Sequence, residues 1–395
     1  MRCRIGGVGV AVTVAATAGC EGEGGGAGET PFGRLGEAEA VYPESFAALR
    51  TVRELEDGRV LVADPLGQVV VRLDLDAGTA DTIGSVGEGP AEYIQPDAVW
   101  PLPGGRTLLV DLGNGRLTEL GPGLEFGETR PYAMGDPTRG GLVMALPHAV
   151  DEGGRLYFRD MSGMGQPADS AYILRLDLES GAVDSLAMFK LPGTTRRESG
   201  GPNNQSVQVS QNPLSPEDAW GVSSDGRLVV ARIGDYHVDW IGEDGLVTSG
   251  SPVPHTPVGI GRAEKLEWRD QRSENGGGLG MEVGIANGSV SIRASRGGSG
   301  IGADELDGFA WPGVKPAFYG GTVPVLVDGR GRAWVRRHRE AGLPPRYDVF
   351  DGSGALAMKA ELRVGRRVVS FGDGKLYAVH MDDYGLQYLE RYALP

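Results

Sequence analysis

Cysteine is nearly absent. Of 395 residues only Cys3 and Cys20 carry a thiol, and both fall within the first twenty. The body of the chain therefore has no disulfide framework, thiolate metal centre or cysteine nucleophile. Histidine is scarce as well, with five in all. His148, His237, His255, His338 and His380 stand far apart and lack the spacing of a metal-binding motif. Aromatic residues make up 7%, so a core has to rest mainly on Val, Leu and Ile, as it does in stacked sheets. Basic charge is in deficit, with 38 Lys and Arg against 53 Asp and Glu for a net charge of −15. A chain this acidic, with no basic stripe, has no general attraction for nucleic acid. A strand-to-helix nucleophile elbow, a His-Glu-x-x-His pair and a full Asp-x-Asp-x-Asp-Gly calcium loop are missing too.

Glycine, by contrast, is abundant, at 66 residues, and it recurs in register. Six apolar runs enter a Gly-Arg or Gly-Lys turn and leave as a second apolar run. The turns are Gly58-Arg59, Gly105-Arg106, Gly154-Arg155, Gly226-Arg227, Gly331-Arg332 and Gly374-Lys375. After them come short β-branched and aromatic stretches such as Val60–Ala63, Thr107–Val110, Leu228–Ala231 and Leu376–Val379. These are too brief for helices and are bounded by turn residues. Seven positions before each Arg or Lys stand Val52, Val99, His148, Trp220, Val325 and Val368, the innermost strand of each unit. Further on, phrases such as Arg72–Gly78 and Arg175–Gly181 mark a second hairpin with Gly and Asp at its turn. A strand-and-turn period of about 40–50 residues predicts a β-propeller of six four-stranded blades.

The last repeat, ending at Pro395, has only three strands, while Glu37–Pro43 precedes the first and is unassigned. Pairing that stretch with the last blade would close the ring over residues 37–395 and remove an open edge. Two insertions interrupt the period. One, at about 194–217, is polar; the other, at about 256–316, begins with a predicted helix over Arg262–Arg272 and carries a predicted hairpin over Met281–Arg293. Long loops on a rigid scaffold are where binding tends to reside.

Arg2 and Arg4 followed by apolar Ile5–Ala18 read as an export signal over residues 1–19, too short to span a bilayer. The ending Thr17-Ala18-Gly19-Cys20 resembles the lipobox of bacterial lipoproteins, which implies cleavage before Cys20 and its diacylation. Residues 20–36 then read as a flexible tether. The expected address is the cell envelope, periplasmic or outer-membrane, with the membrane contacted through an N-terminal lipid.

For chemistry, one column stands out. Five residues after each turn's Arg or Lys come Asp64, Asp111, Asp160, Arg232, Arg337 and His380. In register they form a ring of ionisable groups at equivalent ends of the second strands. The three Asp suit a turn-capping role, whereas Arg232, Arg337 and His380 either pair with neighbouring acids or offer a cationic half-ring to an anion. His148 breaks an otherwise apolar column, as a packing residue or as an axial ligand for metal or protons. His338 falls in a run, Arg336–Arg339, that reads as exposed.

Asp57–Asp64 resembles the core phrase of NHL-type repeats. The stretch Ile83–Tyr93 with Pro96, the segment Pro216–Asp239 and the endings Arg346–Asp351 and Leu386–Tyr392 are similar to exported bacterial six-bladed β-propeller proteins. That resemblance implies the fold over roughly residues 40–395 and little about activity. Related propellers include amidating lyases and lactonases with an axial metal, but their His and Glu patterns have no match here. Three functions follow as expectations. The first is a non-catalytic binding or scaffold module for a peptide, glycan or protein. The second is an axial metal-dependent hydrolase or lyase using a divalent cation, with His148 or His380 beside Asp64, Asp111 or Asp160. The third is an accessory subunit of an envelope complex.

Overall fold

The computed structural model describes residues 30–135, 143–161, 168–201, 204–274, 278–286, 289–297, 301–321 and 323–395. The chain forms six antiparallel sheets in a ring, a β-propeller with minimal helix. Blade one consists of Val52–Glu54, Val60–Asp64, Val69–Asp74 and Thr79–Thr82. Blade two follows with Pro96–Pro101, Thr107–Asp111, Arg116–Leu120 and Phe126–Pro131, and blade three with Ala149–Val150, Leu156–Arg159, Ser170–Leu176 and Val183–Lys190. Blade four comprises Ala219–Val222, Leu228–Arg232, His237–Ile241 and Val247–Ser249. Blade five is built from Leu326–Val327, Ala333–Arg336, Arg346–Phe350 and Leu356–Glu361. Blade six contributes Arg366–Gly372, Lys375–Met381 and Gln387–Ala393. Each inner strand touches the inner strands of the blades on either side, and blade six returns to blade one.

The turns explain why the repeat folds this way. All six glycines of the Gly-Arg and Gly-Lys turns have φ between +64° and +86°, a conformation that costs an L side chain energy. The apolar run after each turn is continuous rather than alternating because both faces of a blade are covered. In blade one, Val60 and Val62 pack against blade six while Leu61 and Ala63 pack against blade two. In blade four, Leu228 and Val230 face blade three while Val229 and Ala231 face blade five. The core is thus a ring of apolar clusters, one in each seam between blades. Outer strands have no such neighbour, and Thr79–Thr82 and Val247–Ser249 are exposed throughout.

Closure uses the leading segment. Ala40–Val41 pairs antiparallel with Gln387–Ala393, and the amides of Tyr42 and Phe46 extend the contact to the carbonyls of Leu389 and Gln387. A second strand was not foreseen: Phe32–Arg34 lies parallel on Leu356–Glu361 and makes blade five five-stranded. Both insertions leave from the face where second strands end and inner strands begin, here called the upper face. The first holds an antiparallel pair, Thr194–Gly201 with Asn204–Gln211. The second contains the helix Arg262–Glu274 and the pair Gly278–Ala286 with Ser289–Gly297.

Two substitutions test the seam packing. Leu61→Ala, at a fully buried position, lowers unfolding free energy by about 2–5 kcal/mol. Val247→Ala, on an exposed outer strand, changes it by under about 0.5 kcal/mol. Urea denaturation of both variants distinguishes this arrangement from one in which the outer strand carries the core.

Candidate functional site at the axial mouth

The six ionisable groups of the repeat column stand at the upper ends of their second strands, and their partners lie in or beside their own blades. Asp64 is buried and accepts the amides of Ala47 and Ala48 as well as those of Leu66 and Gly67. It caps the turn it precedes and also anchors the segment entering blade one. Asp111 repeats this in blade two, accepting the amides of Ile94, Gln95 and Asn114, with the Asn114 side chain added. Blade four inverts the scheme. There the carboxylate, Asp218, is on the entering segment, where it accepts the amides of Lys190 and Ile233, and Arg232 donates to it and to Asp239. In blade five Arg337 donates to Asp348 and to the Ala317 carbonyl, with its guanidinium over the Tyr236 ring. His380 lies 3.9 Å from Glu390, which Arg366 holds with two hydrogen bonds. Asp160 neighbours Arg159, whose charge it offsets together with Glu217.

These anchors do not assemble a metal centre. Among the described residues, no three His, Cys, Asp or Glu side chains gather in a way that could hold an ion. His148 is half-buried, its Nε2 is 3.0 Å from the Trp220 carbonyl oxygen, and its ring packs at 4.1 Å on the indole. Burial lowers its pKa to about 4, assisted by the charge of Arg50, so the imidazole is neutral at pH 7. The run Arg336–Arg339 is not the exposed stretch its composition suggests. Arg336 and His338 are buried, and the His338 ring stacks on Tyr319 at 3.7 Å.

What the inner strands do bring together is a charged cluster at the mouth of the axis. Asp97, at the start of blade two's inner strand, takes hydrogen bonds from Arg50, just ahead of blade one's inner strand, and from Arg296. Arg296 belongs to the hairpin of the second insertion, which departs between blades four and five and here reaches blade two. Its backbone and the Gln95 side-chain amide exchange two hydrogen bonds, of 2.7 and 2.8 Å. Beside it the Ala294 amide donates to the Tyr132 hydroxyl, and Ala294 is buried in the seam between blades two and three. Arg367, at the start of blade six's inner strand, donates to the Leu49 carbonyl and to Gln387, whose Oε1 also accepts the Leu49 amide. Arg50 feels both Arg296 and Arg367, and burial pushes its pKa down to about 10 despite Asp97. Burial alone would raise the Asp97 carboxyl, but Arg50 and Arg296 hold it below the usual range. The Arg50 charge also reaches His148, in blade three.

The sequence column missed these groups because it follows the second strand. The positions just ahead of the inner apolar column, which hold Arg50, Asp97, Asp218 and Arg366-Arg367, carry the signal instead. On the opposite face a cleft of about 170 Å³ is lined by Glu54, Arg59, Asp76, Lys375, Tyr377 and Arg391. That is smaller than the usual enclosed small-molecule site of roughly 300–1,000 Å³.

No family model and no curated protein matches the chain. Solved structures that resemble it include virginiamycin B lyase from Staphylococcus aureus, with 12% identity over 91% of this chain and 99% of that one and a TM-score of 0.39. A member of the DUF4221 family from Bacteroides vulgatus shows 11% identity over 91% and 96%, with a TM-score of 0.43. An exported protein from Bacteroides fragilis shows 11% identity over 93% and 95%, also at 0.43. Similarity at this level is confined to the fold and says nothing of ligand or reaction.

Two measurements follow. If Asp64 and Asp111 are anchors, Asp64→Ala and Asp111→Ala each cost about 2–4 kcal/mol in metal-free buffer, because several buried amides lose their acceptor. A metal role would instead appear as loss of cation-dependent stabilisation with little change in the metal-free protein. Glu217, packed against Gly320 and Gly321, has its carboxyl raised to about 7, chiefly by burial and further by Asp218. The folded state then holds a proton that the unfolded chain releases near its ordinary value of 4.5. Stability contributed here is present below that value and is lost as pH rises through 7. Glu217→Gln removes this loss, so its melting temperature gains on the wild type as pH rises from 4.5 to 7 and the difference is flat above. A gap independent of pH would contradict the assignment.

Proposed function

We propose that this chain is an exported propeller, lipidated at Cys20, that serves as a non-catalytic binding or scaffold module. Its upper face, with both insertions, receives a peptide, glycan or protein partner. The observation that carries this reading is the axial mouth. There the repeat's charged groups are tied to one another, to backbone amides and to an insertion hairpin, rather than converging on a reacting centre. A rigid face of this kind is suited to presenting loops. The alternative of an axial metal-dependent hydrolase or lyase requires His148 or His380 to meet Asp64, Asp111 or Asp160. Asp64 and Asp111 are instead occupied by backbone amides, Asp160 lies in the field of Arg159, and His148 is held by the Trp220 carbonyl.

Anchoring rests on Thr17–Cys20, which lies outside the described residues together with the remaining export signal and the first part of the tether. The described chain enters at the lower end of blade five, since Phe32–Arg34 runs parallel to Leu356–Glu361 toward the upper face.

Cys20→Ser tests the anchor: the wild-type protein sediments with membranes, the variant is released, and a variant that still sediments rules lipidation out. For the binding reading, the mature protein is assayed on peptide and glycan arrays and analysed for metal. Saturable binding without bound cation is expected. A stoichiometric, tightly held divalent ion with cation-dependent turnover of ester, lactone or glycoside substrates would replace this reading with the enzymatic one.

A further inference from the structure

We propose that the second insertion is a strap across the upper face, hinged on blade five and held on blade two by a latch built to release. The inference goes beyond the binding-module reading and stands without it. Blades two and five are opposite one another, because neighbouring blades touch in chain order around a ring of six. On blade five, Glu264 accepts the Ala341 amide, and Glu267 pairs with the buried Lys315, which also donates to the Arg339 carbonyl. Gln271 donates to the Tyr319 hydroxyl, while Val258–Gly259 pairs with Val314–Lys315. On blade two the hairpin is held through Ala294 and Arg296, which meet Tyr132, Gln95 and Asp97. Gly278 stands opposite Gly297, only a few positions after the helix ends at Glu274, so the helix itself carries the chain from one end of the strap toward the other.

The two ends differ in kind. At blade five an aromatic cluster of Trp268, Phe309 and Trp311 accompanies the ion pair, with ring centroids 5.3, 5.7 and 6.3 Å apart. At blade two Ala294 is buried, but Ser295 and Gly297 on either side of Arg296 are exposed. Each blade-two group in the latch also has somewhere to turn when the hairpin leaves. Asp97 retains Arg50, the Tyr132 hydroxyl retains the Leu112 carbonyl at 3.4 Å, and the half-buried Gln95 side chain meets water. Breaking a buried ion pair is costly when it strands a charge, and Arg50 removes that cost here. Local opening is easiest where few apolar side chains are buried and the hydrogen bonds lie near solvent. The upper face then has two forms, and a partner gripping the insertion selects between them.

The test is amide hydrogen exchange of the intact protein under native conditions, resolved to single residues by fragmentation mass spectrometry. The Ala294 and Arg296 amides donate into the latch, so their exchange reports its opening. They are expected to exchange at least about 100-fold faster than the Leu109 and Val110 amides in the core of blade two. Arg296→Gln speeds them about tenfold further and leaves Leu109 and Val110 unchanged. Arg50→Gln slows them about tenfold, because Asp97 then has no second cation and release strands its charge. Arg50→Lys, which keeps the charge, restores the wild-type rate. A variant that is merely loosened exchanges faster, so the opposite signs separate a latch from general damage, and circular dichroism checks that each variant keeps the propeller. Wild-type latch amides that exchange as slowly as Leu109 would overturn the inference, as would faster exchange at Ala294 and Arg296 in Arg50→Gln.

Discussion

Burial of every second strand on both faces is the constraint from which the remaining features follow. A sheet with two apolar faces needs a neighbour on each side, and a row of such sheets ends in exposed apolar surface unless it curls into a ring. Val60 to Ala63 illustrate the point, with alternate side chains entering the seams toward blades six and two. The ring in turn needs closing, because blade six has only three strands of its own. Ala40–Val41 supplies the fourth, which ties the start of the described chain to its end. Without that strand Gln387–Ala393 would present an unpaired edge, a template for association with other chains.

Closure also creates the axial mouth. Inner strands begin at the upper face, so residues just ahead of them from all blades are drawn toward one axis. In blades one and two the chain is held there by Asp64 and Asp111 through amides, and in blade four by Asp218 with Arg232. The same geometric need, to fix the segment entering an inner strand, is met by a carboxylate on either side of the contact. That exchange explains why the repeat column changes from Asp to Arg without losing its role. Ionisable residues at equivalent positions are therefore weak evidence of chemistry in a repeat protein, since the repeat itself places them there.

Much of the architecture was legible in local patterns. The Gly-Arg and Gly-Lys turns with the short apolar runs after them announced six repeated blades, and the missing strand of the last repeat pointed to Glu37–Pro43. The helix at Arg262 and the hairpin that follows it were also readable, because each is set by short-range spacing. The additional strand Phe32–Arg34 was not, since three residues without apolar alternation carry no signal. The mouth was less legible still. Arg296 meets Gln95 and Asp97 across some two hundred positions of sequence, a pairing that only the completed ring determines. Arg336 to Arg339 was misread because a charged run looks solvated when its neighbours, here Tyr319 and Lys315, are unknown.

The closing contact can be examined chemically because the chain has no thiol after Cys20. In a background with Cys3→Ser and Cys20→Ser, Ala40→Cys and Arg391→Cys place thiols at paired positions of the closing strands. These two thiols are expected to form a disulfide on mild oxidation and to raise the unfolding free energy by about 3–5 kcal/mol, since the link joins distant parts of the chain. Thiols that stay free and fully reactive toward maleimide in the folded protein would contradict closure by the leading strand, and with it the shared axis.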